Sequence, residues 1–326
     1  MSELSLVQAV NAALKRAMDE DSRVLILGED VGIDGGVFRA TDGLLKTFGS
    51  QRVLDTPLAE ASIAGVSIGL AAQGFRPVAE IQFAGFAYTC IDQIINHASR
   101  LRSRTRGRLT CSMVLRSPAG GGIKAVEHHS ESPEAMFAHI PGIKVAIPSS
   151  PSRAYGLLLS AIRDPDPVVF LEPTRLYRAV REEVADDAVG VPLGRCFMLR
   201  PGRDLTILGW GAMIREVLEA ADRLAAEKIE AEVIDVATLK PLDSATILGS
   251  VARTGRLVIV HEAPLTCGYG AEIAARVCSR AITSLLAPIE RVTGYDTMMP
   301  YLRSEAYYMP NVAGILAAAR RVMAYA

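Results

Sequence analysis

Five positions in this sequence carry residue types suited to proton handling and ligand binding, and each stands behind a short apolar run. Glu29 lies in GEDVG, directly after RVLILG. Glu60 lies in DTPLAEASIAG, after a strand-like RVLD and a proline turn. A run rich in small residues follows it: Ala61, Ala64, Gly65, Gly69, Ala71, Ala72 and Gly74. Gln82 and Phe86 lie in EIQFAGF, Arg116 to Gly122 read RSPAGGG, and His129 stands in the loop after that, behind His128. A carboxylate that opens such a helix sits where polar backbone meets a dry interior. There its affinity for a proton can rise, and it can share that proton with a bound ligand. An acid near the positive end of a helix also stabilises by about 0.3–1 kcal/mol with no further role. On these eleven residues alone both readings of Glu60 stay open.

The elements that must place these residues are short β-rich runs alternating with longer helical patterns. Expected strands are Arg23–Gly28, Val78–Gln82, Ser112–Arg116, Lys144–Ile147 and Val168–Glu172. Helical patterns fall at 4–20, 60–74, 86–102 and 151–163. Nearly continuous strand hydrophobicity implies burial on both faces, hence an α/β fold with a parallel sheet covered by helices. In such a sheet the loops at the strand C-termini line the ligand crevice, and all five positions are of that kind. Residues 173–203 are rich in proline, glycine and acid and read as a linker or domain boundary. Beyond it, Leu205–Gly209, Ala231–Val236 and Arg256–His261 alternate with helices at 211–227, 243–253 and 270–284. A last helix is expected at 311–324, completing a smaller second α/β domain.

Competing chemistries find little support. GWGAMI (209–214) and GYGAEIAAR (268–276) lack the third glycine of a dinucleotide fingerprint and read as tight strand-to-helix turns. No G-x-x-x-x-G-K-[ST] or G-x-S-x-G is present. The histidines are His97, His128, His129, His139 and His261, and no Cys or carboxylate spacing completes a zinc site around them.

The 326 residues suffice for two domains, and half of them are hydrophobic. Mean hydropathy is +0.24, which leaves apolar surface for subunit contacts. A net charge of −1, with no block of like charge, gives no support for nucleic-acid or membrane binding. Five scattered cysteines without a C-x-x-C pair read as reduced thiols. No apolar run is long enough to span a bilayer, and no secretory signal core opens the chain. The expectation is a cytoplasmic protein of bacterial or archaeal type, or a matrix protein of mitochondria if a transit peptide was removed.

Over essentially its whole length the chain resembles the beta subunit of the thiamine-diphosphate-dependent decarboxylase component of 2-oxo acid dehydrogenase complexes. The segments that carry this are GEDVGIDGGVFRATDGL, DTPLAEASIAG, PVAEIQFAGF, DQIINHASRLR, RSPAGGG, HHSESPEAMFAHIPGIKV, DPVVFLEP, LKPLD, GRLVIVHEAP and RVTGYDT. The resemblance implies a pyrimidine-binding domain over 1–185 and a transketolase-type C-terminal domain over 186–326, in an α2β2 assembly. It implies that Glu60 hydrogen-bonds the aminopyrimidine ring of thiamine diphosphate and that Phe86 stacks on that ring, with the neighbouring Phe83 and Tyr88 as alternatives. Gln82 and Glu29 would line the same cofactor site. His129 would assist acyl transfer to a lipoyl arm, and Glu29 and Asp92 match positions of an acidic channel between sites. Some members bind potassium, and the matching region is Cys111, Met113, Val114, Ala161, Asp164 and Asp166.

The chain lacks the GDG element and downstream asparagines that hold Mg²⁺ and diphosphate in this superfamily. An alpha subunit is therefore expected to supply that half, and a lipoyl acyltransferase core to receive the product. FAGF (83–86) resembles pyruvate-type members, whereas HEAPLT (261–266) and RVTGYDT (291–297) resemble branched-chain members. Pyruvate is the favoured small 2-oxo acid substrate, with branched-chain 2-oxo acids and acetoin as alternatives. A self-sufficient transketolase-like enzyme and a non-catalytic scaffold subunit are the competing readings.

Overall fold

The computed structural model describes residues 2–325, and the chain divides into two compact units. The first contains the residues up to Gly120 together with His128–Leu193. The second contains Gly121–Glu127 together with the residues from Gly194 onward.

In the first unit six strands lie side by side in the order Lys144–Ala146, Val168–Pro173, Val114–Ala119, Arg76–Glu80, Val24–Gly28, Val53–Asp55. Every pairing among them is parallel. VLILG, VLRSPA and VVFLEP are buried along their whole length, the signature of strands covered on both faces. Helix Leu6–Glu20 packs against helix Pro151–Arg163, burying Leu6, Val10, Ala13, Leu14 and Ala17 on one side. That i, i+4, i+7 spacing is what places them on a single face.

The chain leaves Val24–Gly28 toward the sheet edge at Val53–Asp55, then returns to its other side at Arg76–Glu80. The order of winding thus reverses between Gly28 and Glu80, which pair in register. A reversal of this kind opens a crevice at the strand C-termini.

Three expectations need correction. Residues 2–5 are not helical: Ser2–Ser5 pairs antiparallel with Arg181–Val184, and the helix begins at Leu6. Gln8 accepts the backbone N–H of Ser5 at 3.0 Å, which sets that start. Residues 173–203 are more than a linker, since they supply Arg181–Val184 and a further strand, Phe197–Arg200. The helix expected over 86–102 is broken into a 3₁₀ turn at Phe86–Cys90, a helix at Ile91–Asn96, a turn at Ala98–Arg100 and a helix at Leu101–Arg104. Ser99 Oγ and Arg100 Nε both donate to the Ile95 carbonyl, at 2.8 and 2.9 Å, and interrupt the backbone ladder there.

The second unit holds a five-stranded sheet in the order Glu290–Gly294, Leu257–Pro264, Leu205–Gly209, Ala231–Asp235, Phe197–Arg200. Phe197–Arg200 is its antiparallel edge, and the other pairings are parallel. Residues 121–127 group with this unit for a local reason. Glu305 accepts the backbone N–H of Gly122 at 2.5 Å and that of Lys124 at 3.0 Å, and Glu262 accepts that of Gly121. Among the described residues no helix is long and apolar enough to cross a membrane.

Candidate active site

The parallel sheet of the first unit gathers four of the five positions at one end. Glu29 follows Gly28, and Gln82 follows Glu80, on the two sides of the reversal. Glu60 opens helix Glu60–Ala72 after Val53–Asp55, and His129 follows the strand Val114–Ala119. The fifth, RSPAGGG, begins on that same strand and then passes into the second unit at Gly121.

Glu60 is half-buried at the first position of its helix. The helix face behind it, Ile63, Ala64, Ser67, Ile68 and Ala71, is buried. Cys90 Sγ donates to the Glu60 carbonyl at 3.2 Å, tying the helix start to the aromatic turn 86–90. Burial pushes the Cys90 thiol up to about 12, with the Thr89 contact opposing and Glu60 and Glu29 adding to the rise, so the thiol keeps the proton it donates. Glu29 is 6% exposed, and its Oε1 is buried without a hydrogen-bond partner. Its pKa is raised, first by desolvation and then by the charge of Glu60, so the two acids share one field. A buried carboxylate oxygen left unpaired beside a second acid is a poor structural solution and a good place for a donor from a ligand.

The loop between Gly28 and Leu44 is shaped by Asp55 and Thr41. Asp55 accepts the backbone N–H groups of Gly32 at 2.5 Å and Ile33 at 3.1 Å. Thr41 Oγ1 donates to the Val31 carbonyl at 2.7 Å.

An aromatic wall stands beside these acids. Phe83 packs edge-on against His129 with ring centroids 4.3 Å apart, and Phe86 lies 5.2 Å from His129 and 5.3 Å from His128. Phe83 and Phe86 themselves meet edge-to-face at 5.9 Å. The wall depends on Gly85, where a Cβ would overlap the carbonyl oxygen of His128, so the 81–90 turn and the 128–131 segment meet backbone to backbone. Tyr88 donates to Glu131 Oε2 at 2.9 Å, and Glu131 accepts the backbone N–H of Gly120 at 2.8 Å through its carbonyl. His128 is exposed; His129 is half-buried, and its Nδ1 is enclosed without a partner. An unpaired imidazole nitrogen is available to hold or give up a proton.

The other expected residues fall elsewhere. Asp92 is exposed and accepts from Asn96 Nδ2 at 2.7 Å and Gln93 Nε2 at 3.1 Å within its own helix. The region of Cys111, Met113, Val114, Ala161, Asp164 and Asp166 lies at the N-terminal end of the strands, opposite the acids. Its carboxylates are already matched by cations. Lys144 Nζ reaches both oxygens of Asp164 at 2.7 and 2.6 Å, and Arg102 Nε reaches Asp166 at 2.8 Å. The carbonyls of Cys111, Met113 and Ala161 accept from Met113, Val168 and Asp164. Among the described residues no cluster of three His, Cys, Asp or Glu side chains is placed to hold a metal.

Cys90 stands outside the expected site, whereas Phe83 and Tyr88 are the expected alternatives to Phe86 as the stacking ring. Phe83 differs from Phe86 by three positions in the same EIQFAGF run, so the run marks the wall without ranking its rings. Cys90 carries no spacing signal, because its contact is to a backbone carbonyl.

Comparison with known proteins gives a consistent result. Residues 2–180 match the model of the transketolase pyrimidine-binding domain, and residues 194–315 match that of the transketolase C-terminal domain. The chain is 48% identical over 325 residues to the pyruvate dehydrogenase E1 component subunit beta of Bacillus subtilis (strain 168), covering 100% of both chains. It is 46% identical to the protein of the same name from Acholeplasma laidlawii, covering 99% of this chain and 98% of that one. A solved split-gene transketolase, described as an inactive beta4 tetramer, superposes with a TM-score of 0.82 at 23% identity and 99% coverage of each chain, which speaks for the fold.

Proposed function

Because the chain belongs to the transketolase-type family of thiamine-diphosphate enzymes that includes the pyruvate dehydrogenase beta subunits, we propose that it is the beta subunit of a pyruvate dehydrogenase decarboxylase component. It acts in an α2β2 assembly, decarboxylates pyruvate oxidatively and passes the acetyl group to a lipoyl domain of an acyltransferase core, in the cytoplasm. The observation that carries this is the 48% identity over the full length of both chains. The site adds to it: Glu29 Oε1 and His129 Nδ1 are buried polar atoms without partners at the end of the sheet where a ligand belongs.

Thiamine diphosphate, when bound, would supply a thiazolium carbon acid as the nucleophile for a 2-oxo group. The residues present fit that group. Glu60 would hold the aminopyrimidine ring nitrogen by a hydrogen bond and exchange a proton with it during activation. Glu29, whose proton affinity is raised by desolvation and by Glu60, offers its unpaired Oε1 to a donor on the ligand. Phe86 and Phe83 exclude water from one side and offer ring faces for stacking, with Gln82 as a polar neighbour. His129 would give a proton to the sulfur released when the dithiolane S–S bond of the lipoyl arm opens and its other sulfur takes the acetyl group. Magnesium and diphosphate are left to the alpha subunit, since GDG is absent from this sequence.

The test is reconstitution with an alpha subunit and comparison of pyruvate with branched-chain 2-oxo acids. Turnover of this chain by itself, or a preference for the branched acids, overturns the reading. In the complex, His129→Ala is expected to spare decarboxylation measured with an artificial electron acceptor and to slow lipoyl acylation by roughly 10–100-fold. Equal losses in the two assays remove the role given to His129.

Potassium binding belongs to the same proposal, with a restricted donor set. Lys144 and Arg102 neutralise Asp164 and Asp166, so a hard monovalent cation there would depend on second lone pairs of the backbone carbonyls in this region. Replacing sodium by potassium is expected to raise Tm by about 2 °C or more through ligand linkage. Identical melting in the two salts counts against a potassium site.

A further inference from the structure

Four ionisable side chains that the proposed chemistry does not use are buried together in the first unit. Arg116 and Glu172 are 0% exposed, and Glu80 and Tyr177 are 2% exposed. Arg116 and Glu172 form a two-pronged pair, with Nε to Oε1 and Nη2 to Oε2 both at 2.7 Å. Tyr177 adds its hydroxyl to Glu172 Oε2 at 2.6 Å. Glu172 is therefore fully served as a carboxylate. Glu80 receives only the remaining prong, Arg116 Nη1, through Oε2. Its Oε1 abuts the Gly36 backbone, where a Cβ would stand 2.7 Å away.

The charges do not balance if both acids are ionised. One guanidinium faces two carboxylates, Tyr177 is neutral, and Gly28 and Gly36 bring only backbone to Glu80 from the remaining neighbouring segment. A fully buried unmatched carboxylate is relieved by taking up a proton. The carboxylate with the poorer set of donors is Glu80, and burial drives its pKa upward against the pull of Arg116.

The place of Glu80 links this balance to the site. It ends the strand that pairs with Gly28 across the winding reversal, two residues ahead of Gln82. The glycine that leans on it, Gly36, leads directly to Phe38. Phe38 packs on Tyr177 at 5.1 Å and on Phe83 at 5.4 Å, and Phe83 rests on His129 at 4.3 Å. One continuous set of contacts runs from the buried cluster to the imidazole.

We propose that Glu80 is a positioning residue that works as a neutral carboxylic acid. It retains one proton and completes the neutrality of the Arg116–Glu172–Tyr177 cluster. It thereby seats the Gly36–Phe38 loop against the wall that carries His129, with no net negative charge beneath the Glu29–Glu60 pair. The activity part rests on the proposed decarboxylase function; the protonation part does not.

The experiment compares Glu80→Gln, Glu80→Ala and Glu172→Gln in the reconstituted holoenzyme. Glutamine mimics a protonated glutamate, so Glu80→Gln is expected to keep Tm within about 2 °C and both kcat and the KM for thiamine diphosphate within about twofold. The same chemical change at Glu172 breaks the two-pronged pair and the Tyr177 hydrogen bond, leaving Glu80 as the one remaining counter-ion on a single prong, and is expected to lower Tm by about 10 °C. Glu80→Ala is expected to raise the KM for the cofactor and slow lipoyl acylation by about tenfold, and Glu80→Gln to restore both. Infrared difference spectra of wild type minus Glu80→Gln are expected to show a carboxylic-acid carbonyl band that persists above the ordinary glutamate range.

Absence of that band, or a Glu80→Gln variant that melts as low as Glu172→Gln, overturns the neutral acid. Wild-type kinetics in Glu80→Ala overturn the positioning role. If Glu80→Ala fails to fold, the infrared band and the Glu80→Gln melting still decide the protonation. Those two readouts do not depend on which reaction the complex catalyses, so their failure is separable from failure of the functional reading.

Discussion

Glu60→Gln is expected to lower kcat of the reconstituted complex by about 10²–10⁴-fold, or about 3–5 kcal/mol of transition-state stabilisation. The substitution keeps shape and hydrogen-bonding reach and removes only the ability to exchange a proton. Two structural facts set the scale. Glu60 is half-buried at the first position of its helix, so its side chain is held at the site and still open to a bound ligand. Glu29 beside it has its pKa raised first by desolvation and then by Glu60's charge, so the two acids differ in environment. If Glu60 were only a favourable charge at a helix N-terminus, the change would cost a few tenths of a kcal/mol in stability and leave turnover almost intact. Melting and turnover measured on the same preparation separate the two cases. A variant that melts about 1 °C lower and turns over normally would return Glu60 to a capping role.

The fold was readable where burial is symmetrical. VLILG and VVFLEP are apolar throughout because helices cover both faces of the strands, and a continuous apolar run states that directly. It was unreadable where pairing depends on distant partners. SELS at residues 2–5 carries no strand pattern and is extended because REEV at 181–184 lies beside it. The break-up of 86–102 was hidden for a similar reason. The residues are acceptable helix formers, and what interrupts them is side chains taking the Ile95 carbonyl and a backbone approach at Gly85.

The candidate site divides the same way. Glu29, Glu60, Gln82, Phe86 and His129 announce themselves as polar or aromatic residues just past apolar runs. Phe38 and Tyr177, which connect the wall to the buried ion cluster, look like ordinary loop aromatics in the sequence. Glu80, Arg116 and Glu172 each lie in a largely apolar, buried stretch of strand. A charge there is a visible anomaly, and three such anomalies on adjacent parallel strands are a cluster once the strand order is known. Strand order is the quantity a single sequence does not carry, since it depends on which runs pair rather than on which runs exist.

The second large effect is expected in the second unit, on stability rather than catalysis. Lowering pH from about 6.5 to about 4 should cost about 3 kcal/mol at His261 alone. This imidazole is 0% exposed, and both ring nitrogens lack a well-formed hydrogen bond, with only a weak approach from the Ala263 backbone. It stacks on Trp210 at 5.2 Å with the ring planes 12° apart, and Cβ atoms at Gly268 or Gly270 would press into it at 2.6 and 2.7 Å. No space is left for water to solvate a charged ring, so desolvation lowers its pKa from 6.5 to about 4. For a base the sign follows from proton counting. Between those two values the unfolded chain binds the proton and the folded chain does not, so stability rises with pH across the window. It is fully present above about 6.5, is lost as pH falls, and levels off below about 4. His261→Gln is expected to flatten that part of the Tm–pH curve. Because Trp210 is the one tryptophan of the chain and lies on the ring, its fluorescence reads the imidazole directly. The emission should stay constant from about pH 8 to about pH 5 while the protein remains folded; a transition near pH 6.5 would show that His261 titrates as an exposed histidine and that its burial carries no acid sensitivity.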